Sequence, residues 1–253
     1  MNYGMYISAS AASVQMARQD VLSNNLANVN TTAFKPDVLA VRQRDAVTVE
    51  DRLSGGSNEL LERLGGGVMP MRMRLNVTPA QLESTNSPLD LGVEGDGFFM
   101  FRRGERAVLS RDGRMAVSPD GVLVSATSGL PVVTTDDEVI RVEWDQPIDV
   151  LADGRVMQGG QEVGRAALVT VASPESLEKL GDGMLGPPDG SELETLPASG
   201  RIHQGMLEGS GTNAVNAMIA VTGASRAVES ALSMIGHINE MMGRAINTLG
   251  RVA

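Results

Sequence analysis

Apolar side chains recur at helical spacing from residue 3 to residue 29, at Ile7, Ala11, Val14, Val21, Leu22, Leu26 and Val29, with no proline and no glycine after Gly4. This periodicity predicts an N-terminal helix over 3–29. Thr31, Thr32 and Pro36 mark its end, because the residue before a proline is pushed out of the helical region. A stronger repeat runs over 212–250. Written in sevens, it places Met218, Ser225, Leu232, Asn239 and Ile246 at one position and Val221, Val228, Ile235, Met242 and Leu249 three residues on, the seam of a coiled coil. Ala217, Ala224, Ala231, Ile238 and Ala245 widen the stripe, and Gly236, Gly243 and Gly250 recur every seven on its other flank. Glycine inside a helix costs roughly 1 kcal/mol relative to alanine. A row of three therefore marks either close approach by a neighbouring backbone or a terminal helix that frays.

Between these ends the pattern changes. Residues 35–80 are arginine-rich and mixed, broken at Gly55-Gly56 and Gly65-Gly66-Gly67, and read as an extended connector. Over 81–205 turn signals at Arg111-Asp112-Gly113, Pro119-Asp120-Gly121, Ala152-Asp153-Gly154 and Gly159-Gly160 separate valine-rich runs, which predicts an all-β domain. One short helix interrupts that reading, with Ser173 as N-cap, Pro174 at the first helical position, Leu177 and Leu180 inward and Gly181 as terminator. A Gly/Pro/Ser/Glu loop over 182–200 follows. The fold class is therefore α+β. The helices of 1–34 and 206–253 pair as a coiled-coil-like hairpin, 35–80 connects, and 81–205 forms the central all-β domain.

A helix that is apolar or small on most sides must be covered on most sides, and the only intrachain partner in view is the N-terminal helix. Its remaining neighbours are expected to be other molecules, with both ends disordered until subunits assemble. The charge map agrees with this division. The net charge is −10, yet residues 1–34 carry only Arg18 and Asp20, and 206–253 carry three acidic and three basic groups. The excess lies in 81–205, with twenty-one acidic against ten basic, so the middle is the solvated part. That net charge argues against a general nucleic-acid binder, because phosphate contacts need a basic face that neutralises and displaces counterions. No stretch approaches 18 uninterrupted apolar residues, and the start lacks a basic segment followed by an apolar one, so neither a membrane span nor a cleaved signal peptide is expected.

Catalytic chemistry finds little to work with. There is no cysteine, which rules out disulfides and thiolate metal sites and suits a chain that crosses an oxidising compartment. His203 and His237 are the only imidazoles and neither has metal-like partner spacing. Gly65-Gly66-Gly67 lacks the Lys-Ser/Thr of a phosphate loop, and Ser210 does not sit in a nucleophile elbow. Asp136-Asp137, or Asp112 with Asp120, would in principle supply the two carboxylates of a glycosidase, although turn chemistry accounts for them more simply. No catalytic residue, cofactor or metal is expected. A carbohydrate-binding or peptidoglycan-active β-domain carrying oligomerising helices is the rival from another class, and a secreted chaperone or cap protein the third.

The stretch Ser23-Asn24-Asn25-Leu26-Ala27-Asn28-Val29-Asn30-Thr31-Thr32-Ala33-Phe34-Lys35 closely resembles the N-terminal signature of the flagellar rod and hook family. Three more stretches match in order: Gly95-Asp96-Gly97-Phe98-Phe99, Leu109 to Arg114 with Arg111, Asp112 and Gly113 at its centre, and Gln204-Gly205-Met206-Leu207-Glu208-Gly209-Ser210 followed by Asn213. Within the family the F-type branch of the proximal rod is nearest and the G-type branch of the distal rod next. One departure stands at Arg226-Ala227-Val228-Glu229, where rod proteins commonly carry an aromatic. The resemblance implies a structural subunit of the axial rod in the periplasm, exported by the flagellar type III apparatus without signal cleavage. Its partners would be copies of itself, other rod proteins, hook-side subunits and surrounding ring proteins. It also implies that the helices form the inner tube wall, through Val14, Val21, Leu22, Asn24, Asn25, Leu26, Asn28 and Val29 on one and Met218, Val221, Val228, Leu232, Ile235, Met242, Ile246 and Leu249 on the other. The asparagine amides either bond neighbouring backbones there or cap the helix.

Overall fold

The computed structural model describes residues 3–45, 66–188, 191 and 193–249. Among these residues, two α-helices and a central region of many short strands make the fold α+β. The chain divides into two compact units. One comprises Met1–Leu26, Asp37–Met73 and Ala214–Ala253, the other Ala27–Pro36 and Arg74–Asn213.

In the first unit, helix α1 spans Tyr3–Ala27 and helix α2 spans Ala214–Leu249. On α1 Val14, Val21 and Asn25 are buried, a stripe at intervals of seven and four. On α2 the buried positions are Ala217 and Ala224, and Ala231, Ile238, Val221, Val228, Ile235 and Met242 are half-buried around them. The small-residue row is thus the deepest line of α2, because alanine lets its backbone come nearest to what it packs on. A Cβ placed on Gly4 of α1 would lie 3.7 Å from the Ile238 Cδ1 of α2. A ribbon of Val41–Gln43 and Val68–Pro70 reaches α1 through hydrogen bonds from the Val68 amide to Ser10 Oγ (3.4 Å) and from Arg44 to the Tyr6 hydroxyl (2.5 Å).

The second unit is built on a six-stranded antiparallel sheet, in the order Glu178–Gly181, Met184–Gly186, Arg106–Ser110, Phe98–Arg103, Leu168–Thr170, Leu196–Pro197. Strand side chains alternate faces. Phe99 and Phe101 accordingly enter one core with Val108 and Met184, and Phe98 and Met100 enter the other with Leu109 and Leu185. A sheet covered on both faces explains why Phe98–Phe101 reads as an unbroken apolar run rather than an alternation. Short antiparallel pairs extend the unit: Leu91–Glu94 with Arg201–Gln204, Leu82–Ser84 with Met206–Glu208, and Ile148–Val150 with Arg155–Gln158 and Gln161–Arg165.

The short helix expected at Ser173 is not there. A single 3-10 turn spans Pro174–Ser176, with no bond from the Ser173 side chain, and Leu177 leaves it in extended conformation. Leu177 is buried, but Leu180 lies exposed on the edge strand. The loop expected over 182–200 also contains strands. Gly181, Asp182 and Gly183 take positive φ and turn the chain into Met184–Gly186. Sheet pairing gives these backbones ladder partners and puts Met184 and Leu185 into the two cores, which a one-turn helix could not do.

Candidate functional site

The segments flanking the two helices meet inside the second unit. Glu208, at 1% exposure, lies at the end of the strand that leads toward α2. Its Oε1 accepts from Lys35 Nζ at 2.7 Å and from the Ala80 amide at 2.6 Å, and its Oε2 accepts from Arg111 Nη1 at 3.3 Å. Lys35 also donates to the Thr78 carbonyl (2.9 Å). Arg111 donates to the carbonyls of Val93 (3.2 Å) and Gly95 (2.6 Å), and its guanidinium sits 5.3 Å over the Phe98 ring. Its Nε is buried without a partner.

Burial of this group governs its electrostatics. Desolvation pushes both the Lys35 ammonium and the Arg111 guanidinium below their ordinary ranges, against the opposing attraction of Glu208. Ionised, the hub holds two cations and one carboxylate. Removing the carboxylate would leave two cations buried without their counter-charge.

Main-chain bonds reinforce the hub. The Ala33 amide donates to the Glu208 carbonyl (2.8 Å), the Gly211 amide to the Phe34 carbonyl (2.8 Å) and Ser210 Oγ to the Asn28 carbonyl (2.9 Å). Ala33 takes φ 54° to make the turn, and the Lys179 ammonium lies 4.1 Å from the centre of the Phe34 ring.

The residues singled out by resemblance converge here. Phe34, Gly95, Phe98, Arg111 and Glu208 contribute directly. Asp112 forms a second buried network beside Arg111: its carboxylate accepts from Arg114 Nε (2.9 Å), Arg114 Nη2 (2.7 Å) and Thr127 Oγ1 (2.8 Å). Gly113 is needed because a Cβ there would overlap the Leu91 carbonyl, and Gly97, at φ 131°, because a Cβ would fall 2.7 Å from that of Ala198. Gly205 turns the chain at φ 76°, its amide donating to Asp90 (2.8 Å), and Phe99 fills the core. Asn213 immediately precedes α2. Lys35 and Ala80 are hub residues absent from the candidate set, although Lys35 closes the asparagine-rich signature.

The assembly candidates are placed as follows. Val14, Val21 and Asn25 are buried in the first unit, Leu22 and Leu26 half-buried, and Asn24 exposed. Asn25 pairs in both directions with one residue, its Nδ2 donating to the Asp37 carbonyl (2.9 Å) and its Oδ1 accepting the Asp37 amide (3.0 Å). Asn28 and Val29 follow α1, and Asn28 Oδ1 accepts from Thr31 Oγ1 (3.1 Å). On α2 the Met218 row points outward, with Met218, Leu232 and Ile246 at 57%, 51% and 72% exposure. Val215, Ile219, Met234 and Met241 are exposed as well. Leu249 ends the helix. Nothing within 4 Å would meet a Cβ at Gly223, Gly236 or Gly243, while Gly250 lies outside the described residues, as do Gly55-Gly56 and Gly65 of the connector.

Two of the four carboxylates weighed for glycoside chemistry are engaged in ion pairs. Asp112 is held by Arg114, and Asp137 pairs with Arg102 (2.8 Å). His203 bonds Glu94 (2.6 Å), and His237 lies within 3.4 Å of Ser233 on α2. Among the described residues no group of three or more His, Asp or Glu is placed to hold a metal, and no helix is long and apolar enough to cross a membrane.

A β unit that locks together the segments flanking two helices, and helices that present uncovered apolar faces, define a structural assembly subunit. Residues 5–35 match the family model described as flagella basal body rod protein, and residues 203–248 match that of the flagellar basal body rod FlgEFG protein C-terminal. The chain is 31% identical to the flagellar basal-body rod protein FlgF of Caulobacter vibrioides, over 100% of both chains. It is 29% identical to FlgF of Salmonella typhimurium over 97% of each, and 24% identical to FlgG of Bacillus subtilis over 90% of this chain and 92% of that one. The chain belongs to the flagellar basal-body rod protein family and is a structural subunit of that rod.

Proposed function

We propose that the chain is the F-type subunit of the proximal rod and that it polymerises through α1 and α2. The observation that carries this reading is the distribution of apolar surface on α2. Ala217, Ala224, Ala231 and Ile238, with Val221, Val228, Ile235 and Met242, turn inward, while Met218, Leu232 and Ile246 on one flank and Val215, Ile219, Met234 and Met241 on the other stay exposed. A helix apolar on three sides and covered on one calls for further helices. Pairing of α1 with α2 as a coiled-coil-like hairpin covers the inward rows, and neighbouring subunits cover the flanks. Contacts of this kind are heterologous, and where the repeat does not close into a ring they build a helical filament.

The division of labour follows: 1–34 and 206–253 assemble, 35–80 connects, and the acidic β-domain of 81–205 lies outside. The absence of cysteine fits export through the flagellar type III apparatus to a periplasmic rod whose neighbours are copies of this chain, other rod proteins, hook-side subunits and ring proteins. No catalytic step or cofactor enters the scheme. Full-length identity to F-type relatives favours that branch over the G-type, and complementation of strains lacking either subunit separates them: rescue of the F-type deletion alone is expected, and rescue of the G-type deletion alone would overturn the assignment. For the assembly mode, Leu232→Asp should leave the β unit folded yet abolish recovery of the chain in isolated basal bodies. Normal recovery of that variant contradicts assembly through this face.

A further inference from the structure

We infer that the buried hub of Glu208, Lys35 and Arg111 is a register pin, which holds the root of α1 (27–36) beside the root of α2 (204–213) within the β unit before any second subunit arrives. The inference rests on the helix-pair reading above. It makes the three residues positioning residues for assembly, and so gives a role to charges that neither helix packing nor the sheet requires.

Every bond in the hub belongs to the second unit, so the pin needs nothing from the helices. The Lys35–Glu208 pair spans 173 positions of sequence. The Ala33–Glu208, Phe34–Gly211 and Asn28–Ser210 bonds lie beside it, all between 2.8 and 2.9 Å. With the roots fixed in this way, α1 and α2 no longer have to find each other as the ends of a loop of nearly the whole chain. They close as an intramolecular hairpin at high effective concentration.

The register supports the same conclusion. Back from Ala27 to Gly4, and forward from Ala214 to Ile238, each helix rises about 35 Å at 1.5 Å per residue. A Cβ placed on Gly4 would lie 3.7 Å from the Ile238 Cδ1, so these two positions stand level with one another. Equal climbs from a shared base place them opposite one another; a slip of one root would separate them. A buried ion cluster is a poor source of stability compared with apolar packing, and fixing a register is its best-attested use.

Two measurements on the full chain as a dilute monomer test the pin. In the first, amide exchange at Ala33, Ala80, Gly211 and Gly209, whose amide donates to the Gln81 carbonyl at 2.9 Å, should be slowed to within about tenfold of the core strand Phe98–Arg103, whatever the protection of the helices. Rapid exchange at those four amides beside a protected core strand overturns the inference. In the second, Gly4→Cys and Ile238→Cys are introduced together into a chain that has no other cysteine, and the rate of disulfide closure is followed. Glu208→Gln should slow closure about tenfold while Phe98–Arg103 stays protected; an unchanged rate overturns the pin. Should Glu208→Gln unfold the sheet, Lys35→Met is read in the same way, with the same two outcomes. A cysteine pair that never closes in the otherwise unaltered chain sinks the helix-pair reading, whereas fast root exchange sinks the pin alone.

Discussion

Glu208 is the carboxylate at which the segments flanking the two helices meet in the second unit. Its carboxylate answers two cations and a backbone amide, so losing the charge orphans Lys35 and Arg111 in the interior. Glu208→Gln should therefore destabilise the β unit by about 3–5 kcal/mol, the cost of breaking a buried ion pair from one side, read by chemical denaturation of the unit. Recovery of full stability in that variant would show the hub to be wet. Lys35 gives a second test through pH. Desolvation holds its ammonium below the ordinary 10.5. Between the lowered folded value and 10.5 the unfolded chain keeps a proton that the folded chain has released, so this residue makes stability rise with pH across that window. Lys35→Met should remove the rise, leaving a flatter stability profile in alkaline titration; an identical profile in both proteins would place Lys35 in solvent.

The two helices were the most legible elements, because their rows repeat over many turns and nothing in 3–27 or 214–249 interrupts them except helical glycine. Which row faces inward was not legible. Heptad bookkeeping made Met218, Leu232 and Ile246 half of the seam, yet these point outward while Ala217 and Ala224 lie deepest. Sequence period fixes the spacing of rows and not their order of depth, which depends on what packs against them. Turn signals likewise marked a strand-rich stretch, but a proline after a serine suggested a helix where a 3-10 turn leads into an edge strand. Sheet pairing overrode a local cap signal there. The hub was invisible to spacing altogether, since Lys35, Ala80, Arg111 and Glu208 are separated by whole elements, and only the resemblance of their surrounding motifs pointed to Arg111 and Glu208. At this scale the inward and outward rows of α2 should respond oppositely. Ala224→Leu overpacks the buried row and should cost about 1–3 kcal/mol in helix stability. Met218→Ala on the exposed flank should change monomer stability by less than about 0.5 kcal/mol while weakening incorporation into basal bodies. Thermal melts followed by helix signal, paired with recovery from basal bodies, distinguish the two.

For the molecule as a whole, the acidic, doubly covered β unit is complete in itself, and the near-neutral helices are not. Apolar faces of this extent are tolerated by a soluble chain only when association covers them. The free chain and the chain within isolated basal bodies therefore ought to differ in one place above all. Amide exchange over Val215–Ile246, measured in both, tests this most directly. The account predicts exchange at least about a hundredfold slower within the rod than in the dilute monomer, with Phe98–Arg103 unchanged between them. Equal protection of α2 in the two states would contradict it, because the helix would then be fully covered within a single copy.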